Sequence, residues 1–290
     1  MSPTIVTSRD VEQALKKIAK ENLVHINRLR VIVALERLVC RLEAHPILEK
    51  HLVFKGGFAL LKTIASARFT RDVDALAKDI AKEKVLEYIR QALAVELQDG
   101  FWFGDMQVKE QMFAQNYGGY RFDCAFRIGV SPGTNELEKL PRIHLDIGFG
   151  DKIPGLLGRQ EIPLLFPVGK PVSWLVYPLE SILAEKLETI CRRGQLNSRA
   201  KDIFDLIELF SLCENHKKLK HAIVVTFQTR MTPIPSSFFR FVSNLEQGIF
   251  KTAWKSIVVP GDKPSFNGAW KSFLDHLRRL DDIFGEPRKD

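Results

Sequence analysis

Residues 54–79 read FKGGFALLKTIASARFTRDVDALAKD, and the pattern changes three times within them. A short apolar run, HLVF, is stopped by Gly56 and Gly57. Residues 57–67 then have the length and leucine content of a short helix, and DVDALA alternates as a strand does. The predicted order is strand, helix, strand. In a strand, residues two apart share a face, so Asp72 and Asp74 point together while Val73 and Ala75 turn to the core. Two carboxylates that close repel each other unless a cation stands between them. Mg²⁺ is the usual one, its shell completed by nucleotide phosphates. An Asp-x-Asp pair alone is better read as solvated strand-end charges, so its meaning depends on what surrounds it.

Upstream, a helix that begins just after a strand offers unsatisfied N–H groups and a positive dipole end, and Gly56-Gly57 lets a phosphate approach that backbone. Downstream, RIHLDIGFG (142–150) places Ile143, Leu145, Ile147 and Phe149 on one face and Asp146 on the other, with His144 beside it. Asp146 is the candidate third acid; Asp123, in another predicted strand, and Asp151 are rivals for the place. A glycine pair, a helix, two paired acids and a distant third acid form the layout of a phosphate cradle beside a two-metal site. There the metals activate an attacking hydroxyl and stabilise the leaving pyrophosphate.

Around this centre, apolar spacing predicts two N-terminal helices ending near His45-Pro46 and another through Val85, Ile89 and Leu93. Three strands of an antiparallel meander then follow within residues 101–150. Four prolines between Pro163 and Pro178 mark a soft boundary, giving an N-terminal lobe at 1–170 and a mainly helical lobe at 171–290. Lys186 falls in the apolar stripe of a predicted helix, where it either snorkels to the edge of the core or serves a buried anion. RRGQLNSRAKDIFDL gathers Arg192, Arg193, Arg199 and Lys201 before Asp202 and Asp205, which suits either a solvated loop or a phosphate-binding surface.

The 290 residues are 45% hydrophobic and 27% charged, an ordinary globular composition. No apolar run approaches a membrane span, and a soluble, cytoplasmic protein is expected. Cys40, Cys124, Cys191 and Cys213 lack metal-site spacing and are expected to be reduced, buried fillers. A net charge of +8 suits a polyanionic partner such as a nucleic acid, although an ordinary basic surface would also give it.

With these residues assembled, the chain resembles the AbiEii/AbiGii-type nucleotidyltransferase toxins of bacterial type IV toxin–antitoxin systems, within the DNA polymerase β-like superfamily. FKGG with ALLK and RFTRDVDAL is similar to that family's first motif, LAEKLETICRR to its Lys-Leu helix, and RAKDIFDL to its Arg-x-Lys-Asp-x-x-Asp motif. The resemblance covers roughly residues 50–210. It implies an α+β fold, with a polymerase β-like nucleotidyltransferase lobe of mixed sheet flanked by helices and a C-terminal helical lobe. It also implies Mg²⁺ at Asp72, Asp74 and Asp146, and triphosphate at Gly56, Gly57 and Lys186. Asp202, Arg199 and Lys201 would complete the site, with Arg71 and Thr70 near the phosphates; Thr70 stands where serine is usual and is either a phosphate contact or a modification site. Phe58 departs from the family, replacing a threonine and removing one hydroxyl contact.

The activity so implied is transfer of a nucleoside monophosphate from an NTP to RNA, at the 3′ end of tRNA, which would block aminoacylation and growth. A cognate antitoxin protein is the implied partner, and no membrane is involved. Two other readings share these residues: NMP-modification of a protein hydroxyl, and a non-enzymatic RNA- or partner-binding module on a degenerate transferase fold.

Overall fold

The structure is a computed structural model and describes residues 6–114, 117–155, 157–166 and 171–285. It divides into two compact units: Met1–Ala65, Phe69–Gly150 and Leu157–Val176 form the first, and Ser66–Arg68, Asp151–Leu156 and Tyr177–Asp290 the second. The first unit runs α1 (Ser8–Asn22), α2 (Ile26–Ala44), α3 (Leu48–His51), β1 (Leu52–Lys55), α4 (Gly56–Thr63), β2 (Asp72–Ala77), α5 (Lys82–Ala94), β3 (Phe101–Ala114), β4 (Tyr117–Ile128), β5 (Arg142–Phe149), β6 (Gly158–Glu161) and β7 (Ser173–Val176). Its strands make one mixed sheet in the order β3-β4-β5-β2-β1-β7-β6. β3, β4 and β5 are the antiparallel meander expected from their alternation. β2 runs parallel to β5 and antiparallel to β1, and β1 runs parallel to β7. α4 stops at Thr63, short of its predicted end at 67, because Ala65 turns to a φ of 54° and Ser66–Arg68 join the second unit.

Alternation explains the core. Val73, Ala75, Phe122, Leu145 and Ile147 are buried and pack in one cluster with Leu35, Leu38 and Val39 of α2 and Val85 and Ile89 of α5. The sheet runs on past residue 170, since Trp174 and Val176 alternate inward on β7 and Trp174 packs on Phe54 and Phe58 at 5.0 and 5.9 Å. α2 is buried almost all round, which requires partners for its charges. Arg41 donates to both oxygens of Asp99 at 2.7 and 3.0 Å, and Glu36 accepts from Lys62 and from the Leu165 N–H.

Glu43, near the end of α2, is buried beside Arg159, and burial pushes its carboxyl up to about 7 against the pull of that guanidinium. A carboxyl raised in this way keeps its proton in the folded state while the unfolded chain ionises. The contribution of Glu43 to stability therefore falls as pH rises from the ordinary glutamate range to about 7, and levels off above it. Glu43→Gln removes this slope and should gain about 1–3 kcal/mol on the parent between about pH 5 and pH 7. Urea titrations across that range would contradict the assignment if the two proteins lost stability in parallel.

The second unit is helical among its described residues: α6 (Leu179–Arg193), α7 (Ala200–Leu212), α8 (His216–Thr229), α9 (Phe238–Ser243), α10 (Gln247–Trp254) and α11 (Phe266–Gly285). Its core includes an aromatic chain in which Phe204, Trp254, Phe266, Trp270 and Phe273 meet in succession at centroid distances of 5.7–6.3 Å. The four cysteines are buried free thiols, pushed up to about 11 or 12 by burial. Among the described residues no helix is long and apolar enough to cross a membrane.

Candidate active site

Strand register brings the acids together. β2 and β5 pair with Asp72 opposite His144 and Asp74 opposite Asp146. On the far side of β5, β4 places Arg121 opposite Asp146 and Asp123 opposite His144, while β1 places Lys55 opposite Asp74. Directly opposed residues share a face. Two polar rows therefore cross the sheet: Arg121, Asp146, Asp74 and Lys55 in one, and Asp123, His144 and Asp72 in the next.

Each acid is held differently. Asp72 Oδ1 accepts from the Thr70 hydroxyl at 2.5 Å and from the Arg71 backbone N–H at 3.3 Å. Thr70 is buried, so its hydroxyl fixes this carboxylate, while the Arg71 side chain is exposed. Asp74 lies against Gly56, where a Cβ would come within 2.0 Å of Asp74 Oδ2. With a φ of +73°, Gly56 is required both for the close approach and for the turn into α4. Gly57 follows in the first turn of α4 and is buried. Phe58, at the position where the resemblance expects a phosphate-binding hydroxyl, is a core residue packed on Trp174.

Asp146 is gripped by Arg121, whose Nε and one terminal nitrogen donate to its two oxygens at 2.7 and 2.5 Å. That hydrogen bond raises the Arg121 pKa against burial, and the charges of Asp146, Asp72 and Asp74 add to it. Of the rival acids, Asp123 is engaged by Arg142 and faces His144 Nε2 at 3.4 Å. Asp151 belongs to the second unit, where Arg230 donates to both its oxygens at 3.2 and 3.0 Å.

The C-terminal candidates form a buried ionic cluster inside the second unit. Asp202 and Asp205, three apart on one face of α7, are fully buried. The Lys186 ammonium lies 2.9 Å from Asp202 Oδ1 and 2.7 Å from Asp205 Oδ2. Arg199 donates to the second oxygen of Asp202, and Arg68 binds Asp205 through two bonds of 2.7 and 3.0 Å. Burial works against the Asp202 charge, but Lys186 and Arg199 outweigh it and hold the carboxyl well below the usual range. For Lys186 burial likewise opposes the charge, and Asp202 and Asp205 overcome it to raise the pKa. Lys186 does not snorkel to the edge of the core; it lies buried between two aspartates of the chain itself. Lys201 is half-buried in the first turn of α7.

Asp72, Asp74 and Asp146 present hard oxygen donors on one face, the chemistry Mg²⁺ prefers. Among the described residues no group of three or more His, Cys, Asp or Glu side chains is placed to hold a metal ion. Mg²⁺ commonly takes only one or two carboxylates and completes its shell with phosphate and water, so the donor set fits. On this face the Arg121 guanidinium lies on Asp146.

The profile of the nucleotidyl transferase AbiEii toxin family, a type IV toxin–antitoxin system, matches residues 37–286. The chain belongs to this family. The AbiEii match includes every candidate residue above, from Gly56 to Asp202. The search of curated proteins gives no significant match. Among solved structures, the chain is similar to a protein of H. pylori described as a nucleotidyltransferase, with a TM-score of 0.53 at 14% identity over 89% of this chain and 94% of the other. JHP933 from Helicobacter pylori aligns with a TM-score of 0.50 at 15% identity over 90% and 92%. At that identity the likeness is one of fold: an α+β nucleotidyltransferase architecture, with a mixed sheet flanked by helices and a helical C-terminal part.

Of three further residues in these constellations, Arg121 lies outside every motif, while Asp205 and Arg68 lie within RAKDIFDL and RFTRDVDAL but have partners that the motifs do not reveal. Arg121 stands on the polar face of a visibly alternating strand, but only the β4–β5 register places it on Asp146. Asp205 shares a motif with Asp202 and matches it in burial. Arg68 reaches Asp205 across 137 positions of sequence, a separation for which no local pattern exists.

Proposed function

We propose that this AbiEii-family nucleotidyltransferase moves a nucleoside monophosphate from an NTP to RNA, with the 3′ end of tRNA as acceptor, and so blocks aminoacylation and growth. The supporting observation is the placement of Asp74 beside Asp146 on paired strands, with Asp72 in the next row and the Gly56 turn against Asp74. Asp72, Asp74 and Asp146 would hold Mg²⁺, which when bound activates the acceptor hydroxyl and neutralises charge on the leaving pyrophosphate. The acceptor oxygen bonds to the α-phosphorus, the bond from that phosphorus to the bridging oxygen breaks, and the hydroxyl proton passes to solvent.

The chain's own groups do the positioning. Thr70 and the Arg71 N–H fix one oxygen of Asp72, so the acid is oriented before substrate arrives. Backbone N–H groups at Gly56 and Gly57 open α4 and suit the triphosphate. Lys186, held on Asp202 and Asp205 within the second unit, is the lysine to which the resemblance assigns a triphosphate contact. Arg199 and Lys201 add positive charge at the start of α7. The net charge of +8 favours an RNA acceptor over a protein one. In keeping with a type IV toxin–antitoxin family, the expected protein partner is an antitoxin.

Purified protein incubated with Mg²⁺, each α-labelled NTP in turn and total cellular RNA, beside an Asp72→Ala control, tests this reading on a denaturing gel. Label in a tRNA-sized band that is absent from the control is the expected result. Label confined to protein would shift the assignment to NMP-modification of a protein hydroxyl, and no label with any NTP would leave a binding module.

A further inference from the structure

We propose that Arg121 is a resident countercation of the three-acid face, and that it competes with the divalent ion for Asp146 until metal binding releases it to grip a nucleotide phosphate. The proposal rests on the reading of Asp72, Asp74 and Asp146 as metal ligands. Asp74 and Asp146 stand directly opposite each other on paired strands, and two carboxylates so placed repel when no cation is shared. The Arg121 guanidinium neutralises one of the two through bonds of 2.7 and 2.5 Å, using both oxygens of Asp146. A metal can take Asp146 only by displacing at least one of these bonds.

The tether allows such an exchange. Register fixes the Arg121 backbone between Lys109 of β3 and Asp146 of β5, with Phe122 buried in the core beside it. The side chain itself is 38% exposed, so the guanidinium can swing off Asp146 without opening the core. Once displaced, its planar fork of donors remains beside the acids and suits phosphate oxygens. Lys55, at the other end of the row, faces Asp74, so Arg121 is the cation that must yield Asp146. Divalent ion and NTP would therefore bind cooperatively through one side chain.

Mn²⁺ binding, followed by electron paramagnetic resonance without nucleotide and with a non-hydrolysable NTP, tests this in the full chain, in Arg121→Gln and in Asp74→Asn. Without nucleotide, Arg121→Gln should bind Mn²⁺ about five- to tenfold more tightly than the parent, because no ion pair has to be broken. The nucleotide should then enhance Mn²⁺ binding less in Arg121→Gln than in the parent. Mn²⁺ affinity unchanged or weaker in Arg121→Gln, with binding still lost in Asp74→Asn, would overturn the proposal and leave the metal site standing. Mn²⁺ binding indifferent to Asp74→Asn, or absent from every protein, would remove the metal site and the proposal together. Thermal melts exclude a purely structural role: that role lowers the Arg121→Gln midpoint with or without Mn²⁺, whereas competition predicts a loss that Mn²⁺ restores.

Discussion

Asp74→Asn should lower nucleotidyl transfer on the order of 10³-fold, or about 4 kcal/mol of transition-state stabilisation, while the protein folds normally. The substitution keeps the shape that fits against Gly56, where no side chain can intrude, so the turn into α4 survives. What it removes is one negative charge from the centre of the row that also holds Asp146. Because the side-chain shape is kept, urea stability should change by no more than about 1 kcal/mol. Activity thus falls steeply while stability is nearly kept, which separates a lost ligand from a damaged fold. Single-turnover label incorporation beside urea melts reads both; a variant keeping more than about a tenth of parental transfer would take Asp74 out of the metal set.

Lys186→Met should cost about 3–5 kcal/mol of stability, the range for breaking a buried ion pair from one side. Methionine fills the aliphatic volume, so the loss is electrostatic. Asp202 and Asp205 stay buried, each left with one arginine. The pH dependence follows from the shifts. Asp202 is depressed, so its contribution is complete above the ordinary carboxylate range and fades only as pH falls through the depressed value. Lys186 is raised, so its contribution is complete below the ordinary lysine range and fades as pH rises through the higher value. The stability gap between parent and variant should therefore be flat from about pH 5 to pH 9. A gap below about 1 kcal/mol in urea titrations would mean that Arg68 and Arg199 satisfy the two aspartates without the lysine.

Much of this architecture is legible in the sequence because its signals are local. Gly56, the Asp72–Asp74 alternation and the hydrophobic flanks of Asp146 each reveal a strand, a turn or a face within a few residues. The AbiEii resemblance rests on those same stretches and agrees with the family match. What stays hidden depends on pairing between distant segments. Asp123 rivals Asp146 as a third acid in the sequence, and only register sets Asp146 beside Asp74 and Arg121 while Asp123 faces His144. Phe58 is adjacent in sequence to the phosphate-binding turn, yet the first turn of α4 carries it into the core on Trp174, a residue more than a hundred positions away. Lys186 looks anomalous in its helix because its partners lie on α7.

The parallel pairing of β2 with β5 also bears on how the protein matures. It joins segments about 70 residues apart, and the pairing of β1 with β7 joins segments about 120 apart, so the sheet closes through non-local contacts of the kind that form slowly. A slip of one residue between β2 and β5 would set Leu145 beside Asp74 and turn Asp146 into the apolar layer. A nascent or misregistered chain therefore has no three-acid face at all. Assembly of that face therefore waits on these two non-local pairings.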